Sequence, residues 1–272
     1  MKNLSIYILF LGFILTSCGN DFYLTNQANL LILQERAELK AALSFNSSQV
    51  AYSPIKHLGL KSDFAYMDFS EYNTRGRLFL GTLGVGTYFS KPVKPLFPNK
   101  RKLFSNPQLC SIGIEFYASA SLGNYKFNID NTRSVFFPGS SPGSGLGIFE
   151  SKIFKPHLSS QVYWQSRSFT VNFGLRTGLI YYYEGFAFGD FSEFRLDQAR
   201  DLIENTPFYL VEYDLQIAKG NNRIQSFIGV SWGSSFGPLI NGNGSVTFGL
   251  KMNIPTMIDS IKNNKFKRRS RK

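Results

Sequence analysis

His57 and His157 are the only histidines among 272 residues, so any imidazole base must be one of them. Ser159 and Ser160 lie close to His157, and a Ser–His pair is the least that nucleophilic hydrolysis needs. A strand alternates its side chains between two faces, which puts Ser159 beside His157 and sends Ser160 the other way. No carboxylate stands in the same expected hairpin to orient the imidazole, so the triad logic is incomplete and His157 reads as a structural, inward-facing residue. His57 follows Pro54 in a turn, where it is expected to stabilise the turn. The run Gly139–Gly147 lacks the Lys-Ser/Thr of a phosphate loop and reads as a flexible surface loop. Two cysteines, Cys18 and Cys110, are too few for a disulfide framework or a Cys-based zinc site. No catalytic, cofactor-binding or metal-ligating residue is assigned, and no cofactor is expected.

Cys18 has a different chemistry in view. Lys2 and the apolar run Ile6–Leu15 make a secretory signal too short to span a bilayer. Leu15-Thr16-Ser17-Cys18 resembles the bacterial lipobox: an aliphatic residue, two small ones, then Cys. That resemblance implies cleavage before Cys18 and acylation of its thiol, and several acyl chains anchor a protein firmly. Cys110 is then left alone and reads as a small buried or lipid-facing residue.

From Ala37 onward the hydrophobic pattern has period 2. Phe169, Val171, Phe173, Leu175, Thr177, Leu179, Tyr181 and Tyr183 share one face of a long segment; Thr170, Asn172, Gly174, Arg176, Gly178 and Glu184 fall on the other, with Ile180 and Tyr182 among them. The same parity recurs at Cys110–Ala120, Tyr209–Ile217 and Val246–Ile254. Ten strands are expected: 37–46, 48–55, 58–68, 77–91, 109–128, 153–166, 169–185, 208–220, 224–236 and 245–254. A glycine bulge is expected at Gly123, where the apolar parity switches to Tyr125, Phe127 and Ile129. Two-residue turns are expected at Arg167-Ser168 and at Asn221-Asn222, since Asn tolerates the positive φ of a tight hairpin.

A soluble sandwich and a membrane barrel differ in which face is buried. The apolar faces carry essentially no charge. The opposite faces are Gly, Ser, Asn and Gln with sparse charges of both signs: Glu38, Asp63, Glu115, Glu184, Glu212 and Asp214 against Lys40, Lys61, Lys155, Arg176 and Lys251. With His157 these are expected to form a polar network in a narrow lumen. Inward Leu78, Leu80, Tyr163 and Phe227 would help fill it, so conduction is not expected. Aromatics at strand ends, Tyr181-Tyr182-Tyr183 and Trp164, fit interfacial girdles. The expected fold is an all-β, antiparallel up-and-down transmembrane β-barrel of about ten strands.

An even strand count puts both termini in the periplasm. The outside connections are then 129–152, 186–207 and 237–244, with shorter ones near Asn46 and at 69–76; Lys56-His57, Arg167-Ser168 and Asn221-Asn222 turn on the periplasmic side. Residues 92–108 break the rule of short periplasmic turns, either as an insertion or as a missed hairpin. In the 186–207 loop, Asp190 and Glu193 can form a capping box, and Leu196, Ala199, Leu202 and Ile203 a helical stripe. One short helix over the extracellular mouth is therefore expected, as rim packing or as a lid. The organisation reads as 1–17 signal peptide, 18–36 lipidated periplasmic segment, 37–254 barrel and 255–272 basic tail.

Glu35-Arg36-Ala37-Glu38-Leu39-Lys40 and the stretch Gln49-Val50-Ala51-Tyr52-Ser53-Pro54-Ile55-Lys56-His57-Leu58-Gly59-Leu60 resemble the opening hairpins of uncharacterised outer-membrane β-barrel proteins of Bacteroidota. The resemblance covers roughly residues 22–66. It implies a fold and a location and assigns no activity. The family's usual Gly before the first Glu of the opening is Ala37 here.

The net charge is +12. One basic cluster is Lys91, Lys94, Lys100, Arg101 and Lys102; the other is Lys262, Lys265, Lys267, Arg268, Arg269, Arg271 and Lys272. Together they account for the whole excess, so the chain reads as a neutral barrel with two basic periplasmic appendages. A cell-envelope protein does not meet nucleic acid, the usual partner of such runs. Outer-membrane lipid is the expected surrounding, with anionic headgroups or an acidic envelope partner for the basic tail if it is more than a solvated tail. Three functions compete: a structural or surface-interaction barrel lipoprotein with a filled lumen, a soluble lipocalin-like lipoprotein holding an apolar ligand, and a membrane-embedded hydrolase. The first is favoured, and no enzyme is expected.

Overall fold

The computed structural model describes residues 31–71, 74–93, 110–130, 146–166, 168–189, 200, 203–204, 206–221, 223–236 and 243–254. The signal segment, Cys18, Lys94–Lys102, Gly139–Gly147, the start of the expected helix and the tail 255–272 lie outside them.

Ten strands form: β1 (Leu39–Ser44), β2 (Ser47–Tyr52), β3 (Leu58–Glu71), β4 (Thr74–Pro92), β5 (Ser111–Asp130), β6 (Leu146–Gln165), β7 (Phe169–Gly189), β8 (Phe208–Gly220), β9 (Ile224–Phe236) and β10 (Asn243–Asn253). Each pairs antiparallel with its sequence neighbours, and β1 pairs with β10 to close the barrel. The strand ends Asp130, Leu146, Gly189, Phe208, Phe236 and Asn243 lie at one end, which we call the mouth. The other end carries both the entry to β1 and the exit from β10. Pro92 pairs with Ser111 at that terminal end, and the ten described strands close the barrel without a further hairpin between β4 and β5.

Side-chain parity fixes what faces where. Phe116, Phe173 and Leu250 are about half exposed, at 45%, 45% and 49%, while Glu115, Glu212 and Asp214 are fully buried. This reverses the arrangement of a soluble β protein: hydrocarbon-compatible groups coat the outside and ionisable groups fill the inside. The outward apolar runs extend from Phe79 to Phe89 on β4, Ile112 to Leu122 on β5 and Phe154 to Trp164 on β6. Ten residues of tilted strand rise roughly 25 Å, the height of the apolar band on a membrane barrel. The chain is a transmembrane β-barrel, and Phe173, Val211 and Leu250 share no common interior.

Two local expectations are corrected. No bulge forms at Gly123: it pairs with Leu80 on one side and Ile153 on the other in unbroken register. Tyr125 and Phe127 therefore stay inward, and the change of hydrophobic parity reflects an apolar upper lumen. The extra residue lies instead in β7, where the register with β6 shifts between Glu150 and Lys152 and Glu184 takes a φ of 49°. The turn expected at Asn221-Asn222 keeps its length and shifts by one residue: Gly220 pairs with Gln225, where a turn at 221–222 needs Gly220 opposite Arg223. Asn221 closes the shifted turn: its amide donates to Ile224 O at 3.0 Å, and its Oδ1 accepts from the Arg223 and Ile224 amides. The turn at Arg167-Ser168 matches expectation, with Ser166 N donating to Phe169 O at 2.7 Å and Gln165 paired with Thr170.

The wall is uneven. β1 and β2 have six residues each, against 21 in β7. Their hairpin stops where Ser44 meets Gly249 and Ser47 meets Ala65, with Phe45 fully exposed at its tip.

Candidate functional site: the lumen

The first described residues lie inside the barrel. Leu31, Ile32 and Leu33 are buried, and the polar wall binds their backbone. Leu31 N donates to Gln49 Oε1 at 3.1 Å, and Gln161 Nε2 donates to Leu31 O at 3.2 Å. Leu33 N donates to Glu115 Oε1 at 2.6 Å, and Lys40 Nζ donates to Ile32 O. Gln34 follows, with its amide on Glu38 Oε2 at 2.6 Å and its Nε2 on Ser111 Oγ at 2.7 Å. Sequence reasoning placed all of 18–36 in the periplasm; 31–34 instead form an internal strap. An extended backbone inside a closed barrel has no ladder partner, so wall side chains take over that role.

Three charge centres line the lumen. At the terminal end Lys40 Nζ lies 2.7 Å from Glu38 Oε1. In the middle Glu115 accepts from Lys61 Nζ at 2.9 Å and from Gln161 Nε2, besides the strap amide. Lys61 also lies over the Tyr117 ring, 4.1 Å from its centre. The third centre joins β6, β7 and β8: Lys155 Nζ to Glu212 Oε2 at 2.9 Å, Arg176 Nη1 to Glu212 Oε2 at 3.3 Å, and Arg176 Nη2 to Asp214 Oδ2 at 2.5 Å. Its two cations match its two carboxylates, which removes the net charge a buried cluster could not sustain. Asp63 accepts from Gln49 Nε2. Lys251 lies over the Phe227 ring, 5.8 Å from its centre.

Toward the mouth the lumen changes character. Ala65, Met67, Leu78, Leu80, Tyr125, Phe127, Phe149, Ile153, Ile180, Tyr182, Phe208 and Leu210 form one buried apolar cluster. Arg200, Ile203 and Glu204 are helical, and Ile203 packs against this cluster. Asp190, Glu193, Leu196, Ala199 and Leu202 lie outside the described residues. Parity in the sequence signals the plug only once Gly123 is read without a bulge.

Glu184 does not join the network. The extra residue in β7 turns it outward, where it pairs with Lys152 on the exposed surface. Tyr182 likewise faces the plug. His157 sits opposite Gly178 and its Nδ1–H donates to Lys155 O at 3.2 Å. The β5–β6 and β6–β7 registers put Ser159 inward beside it and Ser160 outward. His57 Nδ1–H donates to Tyr88 O at 2.8 Å across the terminal-end turn, and its ring stacks on Phe89 at 5.2 Å. Cys110 is buried. Lys91 is exposed at the terminal end of β4; the other residues of the two basic clusters lie outside the description. Among the described residues no three His, Cys, Asp or Glu side chains gather as metal ligands.

Two small cavities lie within the described lumen. A cavity of about 200 Å³ opens at the terminal end beside Leu31, Glu38, Lys40 and Lys251. A second, of about 40 Å³, lies between Gln49, Asp63, His157 and Arg176 and has room for a water molecule or two.

No protein-family model matches the chain, and no curated sequence is similar to it. Among solved structures the chain is similar to a KdgM porin, with TM-score 0.28 and 6% identity over 79% of this chain and 97% of that one. The KdgM porin in complex with disordered oligogalacturonate gives TM-score 0.26 and 8% identity over the same shares. Similarity at this level does not bear on activity.

Proposed function

We propose that this chain is an outer-membrane β-barrel lipoprotein, anchored through Cys18, with a structural or surface-interaction role and no catalytic one. The mouth faces outward and the terminal end faces the periplasm. The filled lumen carries the reading: the strap Leu31–Gln34, the ion centre Lys155–Arg176–Glu212–Asp214 and the apolar cluster around Phe127 and Phe149 occupy successive levels of one narrow barrel. The resemblance of the opening hairpins to Bacteroidota barrel proteins belongs to the same reading. The basic tail 262–272 would meet anionic headgroups of the periplasmic leaflet or an acidic envelope partner. Its deletion would weaken binding to anionic liposomes.

Purified full-length protein in a planar bilayer tests the central part. The expected trace is closed, without unitary steps at moderate voltage. Steps of constant size that persist over many insertions would make the protein a channel and refute the filled-lumen role.

A further inference from the structure

Toward the mouth, above the apolar runs of β4 and β5, β3 to β6 turn charged side chains outward. One cross-strand row reads Asp68, Arg77, Lys126, Glu150 on β3, β4, β5 and β6. Arg75 lies on the same face of β4 as Arg77, two positions nearer the mouth. The carboxylates sit on the flanks: Asp68 Oδ2 lies 3.4 Å from Arg77 Nε and 3.6 Å from Arg75 Nη2, and Glu150 Oε2 lies 3.2 Å from Lys126 Nζ. Arg77 and Lys126 are direct cross-strand partners, a placement that brings two cations within about 5 Å at Cβ and is destabilising on its own. One carboxylate serves two guanidiniums, and all three cations are about half exposed.

Height decides what meets them. Phe79 and Leu122 end the outward apolar runs of β4 and β5, and the next outward residues toward the mouth include Arg77 and, after Asn124, Lys126. The patch therefore lies at the level of lipid headgroups on the mouth side. A phosphate carries the charge and the several acceptor oxygens that three cations on two adjacent strands can share.

We propose that Arg75, Arg77 and Lys126 form a binding site for the phosphate headgroup of a lipid in the mouth-side leaflet. The site holds a lipid against the barrel wall and relieves the repulsion between Arg77 and Lys126. This rests on the membrane-spanning reading above.

The test uses the full-length protein in phosphatidylcholine vesicles doped with a phosphorylated glycolipid or with its dephosphorylated form. Flotation reports insertion, and native mass spectrometry reports the lipid retained. Retention of the phosphorylated lipid is expected, falling about fivefold for each cation removed in Arg77→Gln and Lys126→Gln. The conservative variants Arg77→Lys and Lys126→Arg should keep most of it. Lys219→Gln with Arg223→Gln, at the terminal end, should leave it unchanged. Equal retention of the dephosphorylated lipid, or no loss in the Arg77→Gln/Lys126→Gln double variant, would overturn the site. Full competition by millimolar inorganic phosphate would also overturn it, by making the ligand a free ion. Failure of the wild type to float with vesicles would overturn the membrane reading and the site together.

Discussion

Inside the barrel the backbone amide of Leu33 donates to Glu115 Oε1 at 2.6 Å, although 82 residues separate them in the chain. Glu115 also accepts from Lys61 and Gln161, so one buried carboxylate ties the strap to β3, β5 and β6. A closed barrel satisfies its own backbone through its ladders. A strap inside it must borrow acceptors and donors from side chains, and this lumen supplies them from its charged and amide groups.

Removing that carboxylate alone should be costly. Glu115→Leu leaves Lys61 buried beside Tyr117 without its carboxylate, and a broken buried pair costs about 3–5 kcal/mol. Lys61→Met in the same chain should recover most of this loss. Urea unfolding in vesicles, followed by tryptophan fluorescence, checks both. A single variant as stable as the wild type would mean that the Glu115 centre does not hold the strap.

Ala37 marks the entry to β1. It has a φ of 60°, the left-handed region that a β-carbon makes unfavourable. Its amide donates to Ser53 O at 2.7 Å, which fixes the conformation. Ala37→Gly should stabilise the barrel by about 1 kcal/mol. The same unfolding assay reads it, and a loss of stability would contradict the assigned backbone.

Gly123 is needed for close approach and not for a bulge. A β-carbon there would run into the Phe79 carbonyl oxygen of β4. Gly123→Val should therefore destabilise by about 1–3 kcal/mol, the usual cost of overpacking. Gel mobility with and without heating, which separates folded from unfolded barrels, gives the transition. An unchanged transition would restore the bulge.

Strand number and the facing of most charges were legible because period-2 alternation is a local property, while some strand ends were not: β6 begins at Leu146 where 153 was expected, and β7 runs on to Gly189 where 185 was expected. Glu115, Lys155, Arg176, Glu212 and Asp214 share parity with small polar neighbours, and that suffices to place them. Three features were not legible. Tyr125 and Phe127 looked outward because the change of apolar parity was read as a glycine bulge at Gly123, whereas a plugged lumen makes both faces apolar. Glu184 looked inward because nothing in its strand announces the extra residue that turns it out. The strap was missed for a third reason: Leu31-Ile32-Leu33 has no period of its own, and its partners are distant in sequence.

The whole account depends on which face of the strands meets hydrocarbon. Single spin labels, placed in a background with Cys110 replaced by Ser, measure this directly in bilayers. Labels at Phe116, Phe173 and Leu250 should be relaxed strongly by oxygen and weakly by a water-soluble nickel complex. Labels at Thr170, Gln216 and Thr247 should be shielded from lipid-dissolved oxygen. The reverse pattern, with Phe173 and Leu250 protected and Thr170 and Gln216 open to bulk solvent, would contradict a membrane-spanning barrel.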